Sequence, residues 1–115
     1  MSDFTIAGTM KNQMAGALTL LSISIEPPSA SWDQQPPATI EGNNNGFFKA
    51  SGGGGGKLSG SVVYLPENSK TKLTFTFTVD GQKNQAEATY PMMGPTVSAA
   101  ITPGVNASAT YAYFR

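Results

Sequence analysis

The stretch Lys72-Leu73-Thr74-Phe75-Thr76-Phe77-Thr78-Val79 decides the fold class. Leu73, Phe75, Phe77 and Val79 alternate with Thr74, Thr76 and Thr78, giving one apolar face and one β-branched polar face. At 3.6 residues per turn a helix would place residues two apart on opposite sides, so only a strand gathers these side chains. The strand runs into Asp80-Gly81, a pair that tolerates the positive φ angles of a tight turn. Beyond it, in Gln85 to Tyr90, Ala86, Ala88 and Tyr90 share one side. The expected unit is a β-hairpin.

Working outward, the same logic predicts strands over Phe4 to Met10, Leu18 to Ile25, Thr39 to Glu41, Phe47 to Ala50, Leu58 to Leu65, Thr96 to Thr102 and Val105 to Phe114. The punctuation between them is Pro27-Pro28, Pro36-Pro37, Gly42 with Asn43-Asn44-Asn45-Gly46, Pro66, Pro91 and Pro103-Gly104. Short strands at this spacing indicate a sandwich or a barrel. Met10 to Leu21 has a helix-compatible composition, but Gly16 and the alternating Leu21, Ile23 and Ile25 favour a loop feeding a strand. Ser51 to Gly56 reads as a flexible loop inside one domain spanning 1–115, because neither half alone has the strands to bury a core.

Composition narrows the chemistry. The 115 residues include no Cys and no His, which excludes disulfides, Cys/His zinc sites, cysteine nucleophiles and a Ser-His-Asp triad. Seven Lys+Arg balance seven Asp+Glu, so no broad cationic face is expected and no nucleic-acid partner. The longest apolar stretch, Ala15 to Ile25, is interrupted by Thr19, Ser22 and Ser24 and falls short of the roughly 20 residues a membrane helix needs. The N-terminus shows no signal-peptide pattern, which leaves a secreted or a cytoplasmic location open.

Local motifs resolve into ordinary structure. Gly52 to Lys57 mimics a phosphate-binding loop, but Ser51 stands where the first glycine belongs and Leu58 where a magnesium-holding Ser or Thr belongs. Ser69 and Lys72 have a Ser-x-x-Lys spacing beside Pro66, Glu67 and Asn68, without the companion motifs of penicillin-recognising enzymes. Asp3, Glu26, Asp33, Glu41, Glu67, Asp80 and Glu87 are scattered and form neither a calcium loop nor an acid pair. The sequence therefore implies no enzyme, no cofactor and no metal. Asn106-Ala107-Ser108 is a glycosylation sequon.

Aromatic residues are the remaining candidates for recognition. Trp32 stands in the proline-rich run Ser29 to Pro37, and Tyr111, Tyr113 and Phe114 crowd the C-terminus. Such rings stack on sugars or sit at a lipid headgroup boundary, because each joins an apolar body to a polar tip. The same rings also fill cores, and both roles stay open for Trp32, Tyr111 and Tyr113.

Asn12 after the first strand, Pro37, Ile40 and Gly42, then Gly60, Val62 and Tyr64, and finally Gly81 and Asn84 form an ordered pattern over most of the chain. This pattern resembles the aegerolysins and the related actinoporin-like haemolysins. The resemblance implies a compact β-sandwich that recognises membrane sphingolipids, an architecture shared with some fungal lectins. The chain lacks the cysteines and the several tryptophans typical of aegerolysins, and Met1 to Ala17 offers no long amphipathic helix of the actinoporin kind. The resemblance therefore supports the fold more than pore formation.

The expected architecture is all-β, a single antiparallel β-sandwich with Leu21, Ile23, Ile25, Val62, Tyr64, Leu73, Phe75, Phe77 and Val79 in its inner layer. The expected function is recognition of a membrane lipid surface, with Trp32, Phe47, Phe48, Tyr111 and Tyr113 as binding residues. Zero net charge implies binding that changes weakly with salt. A lectin is the alternative, with Trp32 or Tyr111 stacking on a sugar and Asn43, Asn44 or Asn45 supplying amide contacts. A third reading is a homo-oligomer built through an exposed strand edge.

Overall fold

The computed structural model describes residues 4–52 and 56–115, so Asp3 and most of the glycine run lie outside the described residues. Ten strands form two five-stranded sheets: β1 (Phe4–Asn12), β2 (Leu18–Glu26), β3 (Ser31–Gln34), β4 (Thr39–Ile40), β5 (Asn44–Gly52), β6 (Leu58–Pro66), β7 (Leu73–Val79), β8 (Gln85–Thr89), β9 (Thr96–Ile101) and β10 (Asn106–Phe114). One sheet has the order β3-β5-β1-β10-β9 and the other β4-β2-β6-β7-β8. The all-β sandwich is as the periodicity requires. All pairings are antiparallel except β1 with β10, which run parallel from Thr5 beside Asn106 to Asn12 beside Tyr113.

Each sheet buries one face. In β7, Leu73, Phe75, Phe77 and Val79 are buried while the threonines between them are half-buried on the outer side. The hairpin partner β8 pairs as expected, with Thr78 opposite Gln85 and Thr74 opposite Thr89. The turn between them is wider than a two-residue turn. Asn84 Oδ1 accepts from the Asp80 and Gly81 amides, and Asp80 Oδ1 accepts from the Gln82 and Lys83 amides. Side-chain hydrogen bonds thus close the loop, while Gly81 supplies a φ of 86°.

Strand β2 departs from simple alternation. The register slips between Leu20 and Ser22, so the bulge turns Leu21 outward, where it is 46% exposed, and Leu20 takes its place against the core. Ile23 and Ile25 pack inward as expected. Leu21 is therefore corrected from the inner layer to the outer face.

The core is largely aromatic. Phe48 and Phe77 stack at a centroid distance of 5.5 Å, Trp32 meets both edge-on at 5.7 and 6.2 Å, and Phe75 lies 4.8 Å from Tyr111. Such pairs contribute about 0.5–1.5 kcal/mol each beyond the area they bury. Two glycines make the room. A Cβ on Gly8 would stand 2.1 Å from Cε2 of Phe48, and one on Gly60 would stand 2.6 Å from Cζ of Phe77.

Phe48, Tyr111 and Tyr113 are therefore core residues, which corrects their placement in a binding surface. Phe48 and Tyr111 point inward because they lie in phase with Ala50 and Ala109, the buried positions of β5 and β10. The tyrosine hydroxyls are satisfied inside: Tyr64 donates to the Pro37 carbonyl and Tyr111 to the Thr76 carbonyl, each at 2.7 Å. Burial raises the ionisation range of both phenols well above the usual value of about 10. Tyr113 is pushed up to about 12, first by burial and then by the neighbouring Tyr90 phenol.

Two outcomes follow from this core. Gly8→Ala is expected to lose roughly 1–3 kcal/mol in urea unfolding, and Phe48→Leu in the same chain to recover part of that loss. The tyrosines stay neutral in the folded protein above the pH where they ionise in the unfolded chain. Stability is therefore expected to hold up to about pH 10 and to fall as pH rises further, because only the unfolded state releases the protons. Urea midpoints measured along a pH series check this, and Tyr113→Phe should flatten the decline.

Candidate binding surfaces

The molecule measures 45 × 22 × 21 Å, and hydrogen bonds between loops define its two ends. At one end Asn43 N donates to Met14 O, Glu67 N to Ala17 O and Gln13 N to Tyr113 O. Asn12 anchors this end from inside: its buried amide donates to Gly16, Ile40 and Glu41 carbonyls at 2.8–3.1 Å, and its Oδ1 accepts from the Met14 amide. At the other end Asn84 Nδ2 donates to the Thr102 and Gly104 carbonyls, both at 2.9 Å. Among the described residues, no buried side-chain nitrogen or oxygen lacks a hydrogen-bond partner.

The expected site residues separate on this frame. Trp32, in the proline-rich run where no strand is expected, lies in strand β3 and is half-buried against Phe48 and Phe77. Phe47 is 50% exposed on the outer face of β5, the opposite side of the strand from Phe48. Asn43, at a φ of 61°, forms the turn into β5, and Asn44 donates its side-chain amide to Gly42 O. Those two asparagines shape the chain, while Asn45 is exposed on the same strand face as Phe47.

One surface feature was not singled out in the sequence. The 91–95 loop joins the two sheets and presents Met92, 54% exposed, and Met93, 97% exposed. Its base is fixed. Met92 N donates to Tyr90 O, the Tyr90 hydroxyl bonds Ser69 Oγ at 2.7 Å, and the Tyr90 ring meets Tyr113 edge-on at 5.3 Å. Pro91 and Pro95 restrict the backbone on either side, and Gly94 turns it with a φ of 106°. Arg115 lies close by, its guanidinium 3.6 Å from where a Gly94 Cβ would stand. The signal available beforehand was two adjacent apolar residues inside a proline-bounded turn, which contribute to no strand pattern.

Two open grooves also mark the described surface. One, of about 320 Å³, is lined by Glu26, Pro27, Pro28, Lys57 and Ser59. The other, of about 360 Å³, lies on the outer face of the β1 sheet. Backbone amides of Gln82 and Lys83 hold the exposed Asp80 carboxyl below its ordinary range. No group of three acidic residues is placed to hold a metal among the described residues. No helix there is long and apolar enough to cross a membrane.

No protein-family model matches the sequence, and no curated protein matches it. Among solved structures the chain is similar to that of the lipid binding protein Nakanori, with a TM-score of 0.82 over 100% of this chain and 73% of the other. The two sequences are 10% identical, and the likeness establishes the β-sandwich fold.

Proposed function

We propose that this protein recognises a membrane lipid surface without catalysis, docking through the tip formed by Met92 and Met93. The observation that carries this reading is a large apolar side chain 97% exposed at the end of an anchored loop. A soluble surface gains nothing from such an arrangement, whereas an interface that buries it does. The fold likeness to a lipid binding protein supports the same reading. So does the order of Asn12, Gly60, Val62, Tyr64 and Asn84 that resembles the aegerolysins. A sphingolipid headgroup is the ligand that this resemblance implies.

Magnitudes bound how the tip works. Burying two methionine side chains is worth roughly 3–5 kcal/mol, which by itself corresponds to dissociation constants between several millimolar and a few tenths of a millimolar. Headgroup contacts must add to it. Arg115, close to Gly94, and the exposed Lys70, in the loop bonded to Tyr90, are the cations that would meet phosphates in this reading. On zwitterionic vesicles the apolar term dominates, so salt should alter binding weakly.

Sedimentation with phosphatidylcholine vesicles, with and without sphingomyelin, tests the reading. The sphingomyelin vesicles are expected to retain the protein, and the Met92→Ser, Met93→Ser double variant to bind at least roughly tenfold more weakly with its thermal stability unchanged. Retention by neither vesicle overturns the lipid reading, and equal retention by both removes the sphingolipid. Mild peroxide offers a second check. Met93 and Met92 should oxidise before the buried Met10, and membrane binding should fall in step with their sulfoxides.

A further inference from the structure

The groove on the outer face of the β1 sheet is built by size differences along three adjacent strands. Ala7 of β1 lies between Lys49 of β5 and Ser108 of β10, so a short side chain is flanked by taller ones. One row away Thr5 sits between Ser51 and Asn106, and the β3 bulge between Trp32 and Gln34 brings Asp33 to the margin. The resulting space is about 360 Å³, within the range of roughly 300–1,000 Å³ usual for small-ligand sites. Its side chains stand on strands rather than on a flexible loop, which fixes their spacing.

The polar inventory is mixed and balanced. Asp33 offers a carboxylate, Lys49 an ammonium and Ser108 a hydroxyl, and all three residues are exposed. Asn106 Oδ1 accepts from Thr5 Oγ1 at 2.8 Å, which commits the oxygen and leaves the Nδ2 hydrogens to offer. Two residues before Lys49, on the same strand face, stands Phe47 with half its surface exposed. Same-face neighbours on a strand are about 7 Å apart, so the ring stands next to Lys49, just beyond the residues that line the groove.

We infer that this groove binds the ring of a neutral sugar. A sugar presents adjacent hydroxyls that donate to Asp33 and accept from Lys49 and Asn106, while Phe47 covers its apolar C–H face. A simple anion would face Asp33 and a simple cation Lys49. An apolar ligand would strip water from four polar groups and pair none of them. The sugar site does not depend on the Met92–Met93 tip. The groove lies at the Thr5–Asn106 end of the β1 sheet, whereas the tip adjoins the end marked by Tyr113 and Arg115.

Amide-resolved NMR titration of the intact protein with galactose, glucose, mannose and N-acetylglucosamine tests the assignment. The expected result is saturable shifts at Ala7, Lys49, Ala50, Asn106 and Ser108 for at least one sugar, with a dissociation constant on the order of millimolar, and none at Met93. Asp33→Ala and Phe47→Ala should each weaken that binding by roughly tenfold while leaving thermal stability unchanged. Absence of saturable shifts with all four sugars overturns the inference, as does equal binding by both variants. Phosphocholine or phosphoethanolamine saturating the same amides where the sugars do not would assign the groove to a zwitterionic headgroup and overturn the sugar as well.

Discussion

Strand β1 is held between partners of opposite polarity, β5 antiparallel on one side and β10 parallel on the other. This pairing brings the first and last strands together in the middle of one sheet, and the rest of the architecture depends on it. β3 reaches that sheet only through β5, and β9 only through β10. The parallel ladder cannot close until the chain has delivered β10, which makes it a long-range contact with a large loop-closure cost. Asn12, at the last position of β1, offsets part of that cost by tying the β1–β2 turn to the end of β4 and the residue after it through one buried amide. Removing its side chain would leave three carbonyls to find other donors.

The interior and the exposed surface use different residues for a physical reason. Large flat rings make efficient core contacts when glycines clear space for them, as Gly8 does for Phe48 and Gly60 for Phe77. Most of the aromatic content is spent there. The surface retains isolated apolar side chains, among them Leu21 at the β2 bulge, Phe47 on a strand face and Met92 with Met93 on a loop. The methionines are unbranched and polarizable, which suits them to an irregular or fluid partner, while a ring on a rigid strand suits a flat ligand.

Strand phase explains which aromatics were legible. The alternation over Leu73–Val79 told the inside from the outside of β7, because nothing in that strand interrupts the pleat. In β2 one bulge reversed the assignment of Leu21, and an extra residue of this kind leaves no mark in an apolar run. Phe47 and Phe48 are adjacent, so one of the pair had to face outward, but choosing which required the register of β5 against β1. Trp32 sat among prolines and polar residues that concealed the short strand β3, whose pairing relies on β5 rather than on its own pattern. Asn44 and Asn45 read as turn residues, yet β5 begins there because β1 supplies the ladder that holds them.

By itself the sequence determined the all-β class, the hairpin at Asp80, the absence of thiol and imidazole chemistry, and the Ser, Thr, Asn and Gln character of the polar surface. These follow from local periodicity and from residue types, which no fold can alter. Tertiary structure decided that Tyr111, Tyr113 and Phe48 belong to the core, that Met93 stands free, and that Asp33, Lys49 and Asn106 meet around Ala7. Those outcomes depend on which strands become neighbours and in what register. Register is set by contacts between residues far apart in the chain, and a local pattern carries no record of them.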